Sequence, residues 1–290
     1  MRRQRRSGIL ALLVVLSAGE LRAQIEVAVE DGSPDGTGAD LVAQLNDDTY
    51  FDFQATLVTA AGIDSPAELA AFDVVILGGS GINNADWTDA MAGALLAWVQ
   101  GGGGAILTGW GNLEFDNVPA GAAADLDALF PTPNSLSIND WTLSSETLDF
   151  IAAHPVVDGI PDFSLGALAN ECCIELNDVG AEPDDLVLAT MPSGTFPGDG
   201  IAVAVKPTVG LGCSVYLGPI FFGSLQQYPD VVPLLRSGLP DQLLEQAAAW
   251  AGGCAGAVAG PLAIPALSWV GLLGLAALLA LAGTLALRRA

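Results

Sequence analysis

Apolar and polar positions alternate at the start of the folded body, then merge into continuous runs, then recur at helical spacing. Ile25-Glu-Val-Ala-Val-Glu30 alternates and predicts a first strand, and the following Asp31-Gly-Ser-Pro-Asp-Gly36 predicts a turn. A helix is expected from Thr37 or Asp40 to about Leu45, and a second strand over Phe53–Val58. Ser65-Pro66-Ala67-Glu68 places a cap, a first-turn proline and an acid in the order of a helix start. Asp73-Val-Val-Ile-Leu-Gly78 is an unbroken apolar run, the pattern of a parallel strand buried on both faces. Trp87, Met91, Leu95 and Trp98 share one face of a helix expected from about Asp86 to Gln100. Gly101 to Gly104 stop it, and Ala105–Thr108 is the next strand. Further on, Leu186–Thr190, Ile201–Val205 and Cys213–Leu217 read as strands, and Asp241–Trp250, behind Pro240, as a last helix. Alternating strands and helices predict an α/β fold with a doubly wound, mainly parallel sheet, flavodoxin-like or amidotransferase-like.

The two ends carry a different pattern. Residues 1–23 read as a secretory signal peptide: a basic start (Arg2, Arg3, Arg5, Arg6), an apolar stretch from Ile9 to about Ser17, and an end at Leu21-Arg22-Ala23 that a signal peptidase accepts. Ala18-Gly19 is an alternative cut, and no Cys stands at either point. Residues 266–287 are uncharged and apolar, long enough as a helix at about 1.5 Å per residue to cross a hydrocarbon layer of roughly 30 Å. Arg288 and Arg289 follow and predict a cytoplasmic terminus. The expected organisation is signal peptide 1–23, one α/β domain 24–252, a small-residue linker with a sorting motif 253–265, a transmembrane helix 266–287 and a basic tail 288–290. The body is then periplasmic or extracellular, in the cell envelope, with the helix in the inner membrane before any processing.

Charge sharpens that reading. Only two basic residues, Lys206 and Arg236, stand between Gln24 and Pro265, against 32 acidic ones, a net charge of −30. Such a surface repels nucleic acid and anionic lipid and draws cations. The four cysteines, Cys172, Cys173, Cys213 and Cys254, form an even set in an exported chain and predict two disulfides. If Cys172 and Cys173 lie on an extended segment, they face opposite ways. Each is then expected to bond a distant partner, Cys213 or Cys254.

The tail resembles the IPTL-CTERM and PEP-CTERM class of sorting signals, through Ile264-Pro265-Ala266-Leu267-Ser268-Trp269, the apolar helix and Arg288-Arg289. That resemblance implies recognition by an exosortase-type membrane protease. The body resembles the class I glutamine amidotransferase-like superfold, particularly its ThuA-like branch. The matching segments are Phe72–Gly79, Leu96–Gly104, Ala105–Gly109, His154–Pro161 and Gly212–Gly218. Amidotransferase members of that superfold place a nucleophilic Cys on a sharp strand-to-helix turn. Here the turn reads Thr108-Gly109-Trp110-Gly111-Asn112, with neither Cys nor Ser, so no catalytic residue carries over.

A serine triad would have to use Ser80 with His154, the one histidine of the chain, and Ser80 lacks the G-x-S-x-G frame. Zinc lacks ligands. Asp31, Ser33, Asp35 and Asp40 follow the first strand, where open α/β sheets bind ligands. They start like a Ca²⁺ loop but lack the closing bidentate acid, since Val42 stands there. Asp178, Glu182, Asp184 and Asp185 form a second acidic loop, and Trp87, Trp110 and Trp141 are candidates for contact with sugar rings. The leading expectation is a non-catalytic binding or structural protein. The alternatives are an extracellular hydrolase of polysaccharide or glycoconjugate using paired carboxylates, and a Ca²⁺-dependent matrix or adhesion protein.

Overall fold

The structure, a computed structural model, describes residues 24–31, 37–78, 86–115, 117–132, 139–143, 147–164, 172–177, 181, 183–193, 197–222 and 232–254. Both terminal segments, with the sorting motif at Ile264, Pro265, Ser268, Trp269, Arg288 and Arg289, lie outside the described residues. Among the described residues, no helix is long and apolar enough to cross a membrane.

Strands β1 (Ile25–Asp31), β2 (Phe53–Val58), β3 (Val74–Gly78), β4 (Gly104–Thr108) and β11 (Gly212–Leu217) are parallel and run in the order β2-β1-β3-β4-β11. This is the doubly wound arrangement, and the chain reverses direction across the sheet between β1 and β3. Period-two alternation sends neighbouring residues to opposite faces. Val27, Val29, Val74, Ile76, Ile106 and Val215 feed one core, while Ala28, Val75, Leu77, Ala105, Leu107 and Tyr216 feed the other. Both faces are covered, which is why these strands carry continuous apolar runs.

Helix α1 (Gly38–Leu45) and the last helix α7 (Leu239–Gly252) lie in the first core through Leu41, Leu45, Leu243 and Leu244. Helices α3 (Asp89–Gln100) and α5 (Ala120–Leu129) lie in the second through Met91, Leu95, Val99, Leu126 and Leu129. The short α2 (Pro66–Leu69) buries Leu69 on that same side. Thr88 caps α3, its hydroxyl accepting from the Met91 amide at 3.2 Å. Trp87 precedes that helix and is fully buried, whereas Trp98 is only half-buried. Helix α5 does not stand out in the sequence. Its buried residues Ala122, Leu126 and Leu129 are diluted by Ala and Gly, and its first turn is held from α3, where Asp89 accepts from the Ala122 amide at 2.6 Å.

Beyond β11 the sheet continues antiparallel. The order is β10 (Asp199–Val209), β9 (Leu186–Pro192), β6 (Thr147–Phe150) and β7 (Phe163–Ser164). A ribbon of β5 (Asn139–Leu143) and β8 (Cys172–Asn177) joins β10 through Ile201 opposite Asn177. Two single-turn helices, α4 (Gly111–Glu114) and α6 (Val232–Leu235), complete the set.

The disulfide pairing differs from the expected one. Cys213 bonds Cys254, 41 residues away, with Cα atoms 5.9 Å apart. The reason is packing: the last turn of α7 presses on the strand starts, so closely that a Cβ on Gly104 would meet the Ala251 carbonyl, and Cys254 follows directly above Cys213 at the start of β11. Cys172 and Cys173 sit on β8, as an extended segment requires, but their partner is then neither Cys213 nor Cys254. The double substitution Cys213→Ala/Cys254→Ala is expected to lower unfolding free energy by about 2–4 kcal/mol, the usual worth of such a crosslink. Denaturant titration measures this, and an unchanged midpoint would contradict it.

Candidate functional site

Two regions of the fold deserve comparison: the crevice at the strand ends, where the sequence points, and a cavity at the strand starts, where it does not.

At the strand ends, β4 turns into α4 through Thr108-Gly109-Trp110-Gly111-Asn112. Trp110 has φ +68°, in the left-handed region that a side chain adopts only under constraint. The constraint is close approach. A Cβ on Gly109 would strike the Gly218 carbonyl, and one on Gly111 would strike Leu107. The turn therefore has the sharp backbone of a nucleophile elbow, with an indole where a nucleophile would stand. That indole is buried, 1% exposed.

The described residues around it are buried as well. Glu30 on β1 is buried and accepts from the Trp87 Nε1–H at 2.8 Å. Phe222 and Thr108 close over Gly78, where a Cβ would strike both. Glu175 on β8 is fully buried, and its Oε2 accepts from the Asn112 amide at 3.3 Å, one residue past the glycine of the elbow. The Tyr216 hydroxyl lies 2.9 Å from the Glu175 carbonyl oxygen and 3.2 Å from Oε2. Burial, with the Glu175 charge beside it, pushes the Tyr216 phenol well above its ordinary range. Asn112 is further tied to Thr132, its Nδ2 donating at 2.9 Å. These polar groups brace the turn from beneath and are sealed from water.

Of the acidic candidates, Asp40 is exposed on α1. Asp31 ends β1 and is described by its backbone alone, as Trp141 is in β5, while Ser33 and Asp35 lie outside the described residues. In the second acidic loop Asp178 and Glu182 lie outside them too, and Asp185 comes within 3.9 Å of Lys206. Among the described residues, no group of three His, Cys, Asp or Glu gathers to hold a metal ion. Ser80 also lies outside the described residues. His154 stands at the far cavity, where its Nδ1 accepts from the Val156 amide at 3.2 Å and caps a short 3₁₀ turn, Pro155–Val157.

That cavity, of about 1080 Å³ and open to one side, is lined by the turn entering β2 (Tyr50 to Asp52), the segment from Phe150 to Ile160, and Gln246, Ala249 and Trp250 of α7. It lies at the starts of the parallel strands, since the end of α7 meets Ile25 and Val74 there. His154 meets Trp250 edge-on, ring centroids 4.8 Å apart. Burial lowers the His154 pKa to about 4, so the ring is neutral near pH 7. Glu245 anchors the opposite wall, its Oε2 accepting from the Tyr50 and Phe51 amides at 3.0 and 2.9 Å. Burial raises Glu245 to about 7, with the nearby Asp241 and Asp47 charges acting in the same direction. The cavity is built from three separate segments, so no local motif announces it. The usable signals were the lone histidine before Pro155 and the tryptophan ending the last helix.

Two measurements follow from this geometry. Trp110→Gly is expected to be more stable than Trp110→Ala by about 1–2 kcal/mol, because only glycine adopts the left-handed turn without cost. Both fall below the parent, since either change empties a buried indole site, and an ordinary Ala-over-Gly order would contradict the constrained turn. Glu245 has a raised pKa in the folded chain, so its contribution to stability is fully present below about 4.5 and is lost as pH rises through about 7. Glu245→Gln is expected to flatten that part of the profile of melting temperature against pH, and a profile parallel to the parent's would contradict the assignment.

No protein-family model matches this sequence, and no curated protein is similar to it in sequence. Solved structures do share the fold. A cytoplasmic protein of Salmonella typhimurium LT2 matches with a TM-score of 0.56 at 14% identity, over 78% of this chain and 99% of its own. A ThuA-like protein of Parabacteroides merdae matches at 0.51 and 15% identity, over 79% and 90%. Another ThuA-like protein, of Bacteroides uniformis, matches at 0.50 and 15%, over 81% and 94%. At these identities the likeness is one of fold, and the body of this chain carries the mixed α/β fold seen in ThuA-like proteins.

Proposed function

We propose that this chain is a non-catalytic binding module of the cell envelope: exported, with its acidic body outside the cytoplasm, and held or sorted there by its C-terminal segment. The observation that carries the non-catalytic part is Trp110. An indole cannot attack a carbonyl, and this one fills the elbow from which a nucleophile would act. Glu114, whose amide donates to the Trp110 carbonyl, and Glu175, which accepts from the Asn112 amide, are fully buried, which disfavours a general acid and base serving an open cleft. The envelope address is supported by the basic-then-apolar start, the apolar segment 266–287 with its terminal arginines, and the Cys213–Cys254 disulfide, which suits an oxidising compartment. In this reading an exosortase-type protease is the processing partner, and the ligand is a small molecule or surface component. The fold alone assigns no activity.

Two assays on the full-length protein test this reading. Alkaline phosphatase fused after Gly256 is expected to be active and green fluorescent protein at the same point dark; the reverse pattern would overturn the envelope address. The purified protein is expected to release neither ammonia from glutamine nor sugar from bacterial polysaccharides above the background of Trp110→Gly, and turnover by the parent would overturn the non-catalytic reading.

A further inference from the structure

We propose that the cavity between α7, the turn entering β2 and the His154 segment is a binding site for an organic ammonium ion with an apolar body. This deepens the binding-module reading and rests on it. The volume of about 1080 Å³ suits a small-molecule site, and the wall is mainly aromatic and aliphatic, with Tyr50, Phe51, Phe150 and Trp250 contributing rings.

The charged groups in that wall near pH 7 are carboxylates. Asp52 and Asp158 bring exposed carboxylates. The amide nitrogen of Gln246 donates to the Asp158 carbonyl at 3.0 Å. Among the described residues no cation balances them. The only basic residues of the body are engaged elsewhere: Lys206 lies 3.9 Å from Asp185, and Arg236 donates to Gln44 and to the Phe221 carbonyl, both at 2.8 Å. His154 supplies no charge near pH 7, because its ring is neutral there. An anionic ligand would meet only like charge. An ammonium would meet carboxylates and aromatic faces, which attract cations through their quadrupole. The net charge of −30 between Gln24 and Pro265 raises the local concentration of such ions.

Three near-isosteric probes separate charge from shape: phenethylammonium, phenethyl alcohol and 3-phenylpropionate. Each is titrated into the full-length protein in lipid nanodiscs, with empty nanodiscs as the reference, and followed by calorimetry and tryptophan fluorescence. The ammonium is expected to bind about tenfold more tightly than the alcohol, an advantage in the range of a cation over aromatic faces and carboxylates, and the carboxylate is expected not to saturate. Asp52→Asn/Asp158→Asn is expected to erase that advantage. Asp64→Asn/Asp86→Asn, which removes the same charge away from the cavity, is expected to keep it. Equal binding of alcohol and ammonium, saturation by the carboxylate, equal losses in both double variants, or no saturable binding would each overturn the proposal. Turnover is read separately, so a protein that is inactive yet fails to bind the ammonium sinks this site and not the non-catalytic reading.

Discussion

Close backbone approach at the end of β4 governs this molecule. Gly109 lies against the Gly218 carbonyl and Gly111 against Leu107, so the one residue between them turns left-handed. Such a conformation costs roughly 1–2 kcal/mol for a residue with a side chain. It persists because the same turn buries a whole indole and presents the Asn112 amide to the Glu175 carboxylate. Burying an aromatic side chain of that size contributes more than the turn costs. The turn thus holds a buried indole at the end of β4.

Much of the first half of the fold was legible because its strands are buried on both faces. Continuous apolar runs bounded by glycine, such as Val74–Gly78 and Gly104–Thr108, carry that signal strongly, and β2 begins and ends where the alternation places it. The antiparallel extension was less legible. Strands β6 and β7 are only four and two residues long, with isolated apolar positions, and β5 and β8 pair with each other more than with the main sheet. Their register depends on partners distant in sequence, which no local pattern encodes. The disulfide was misread for a related reason. Opposite-facing neighbours at Cys172 and Cys173 are a local feature, whereas the deciding contact is the end of α7 over the start of β11.

The site was legible only in what it lacks. The missing nucleophile can be read from Gly109-Trp110-Gly111, but the direction of the indole cannot, since an exposed tryptophan would suit a sugar-binding crevice equally well. The cavity by α7 depends on side chains drawn from residues 50–52, 150–160 and 246–250. Its electrostatic character, by contrast, follows from composition. A body with two basic residues, both occupied structurally, has no cation to offer a ligand.

The burial of Trp110 is the point on which the functional account turns, and hydroxyl-radical footprinting read by peptide mass spectrometry measures it directly. The account expects Trp110 to be protected as well as the fully buried Trp87, while the half-buried Trp98 oxidises faster. Oxidation of Trp110 at the rate of Trp98 or above would mean an open crevice at the end of β4, and the non-catalytic reading would lose its basis.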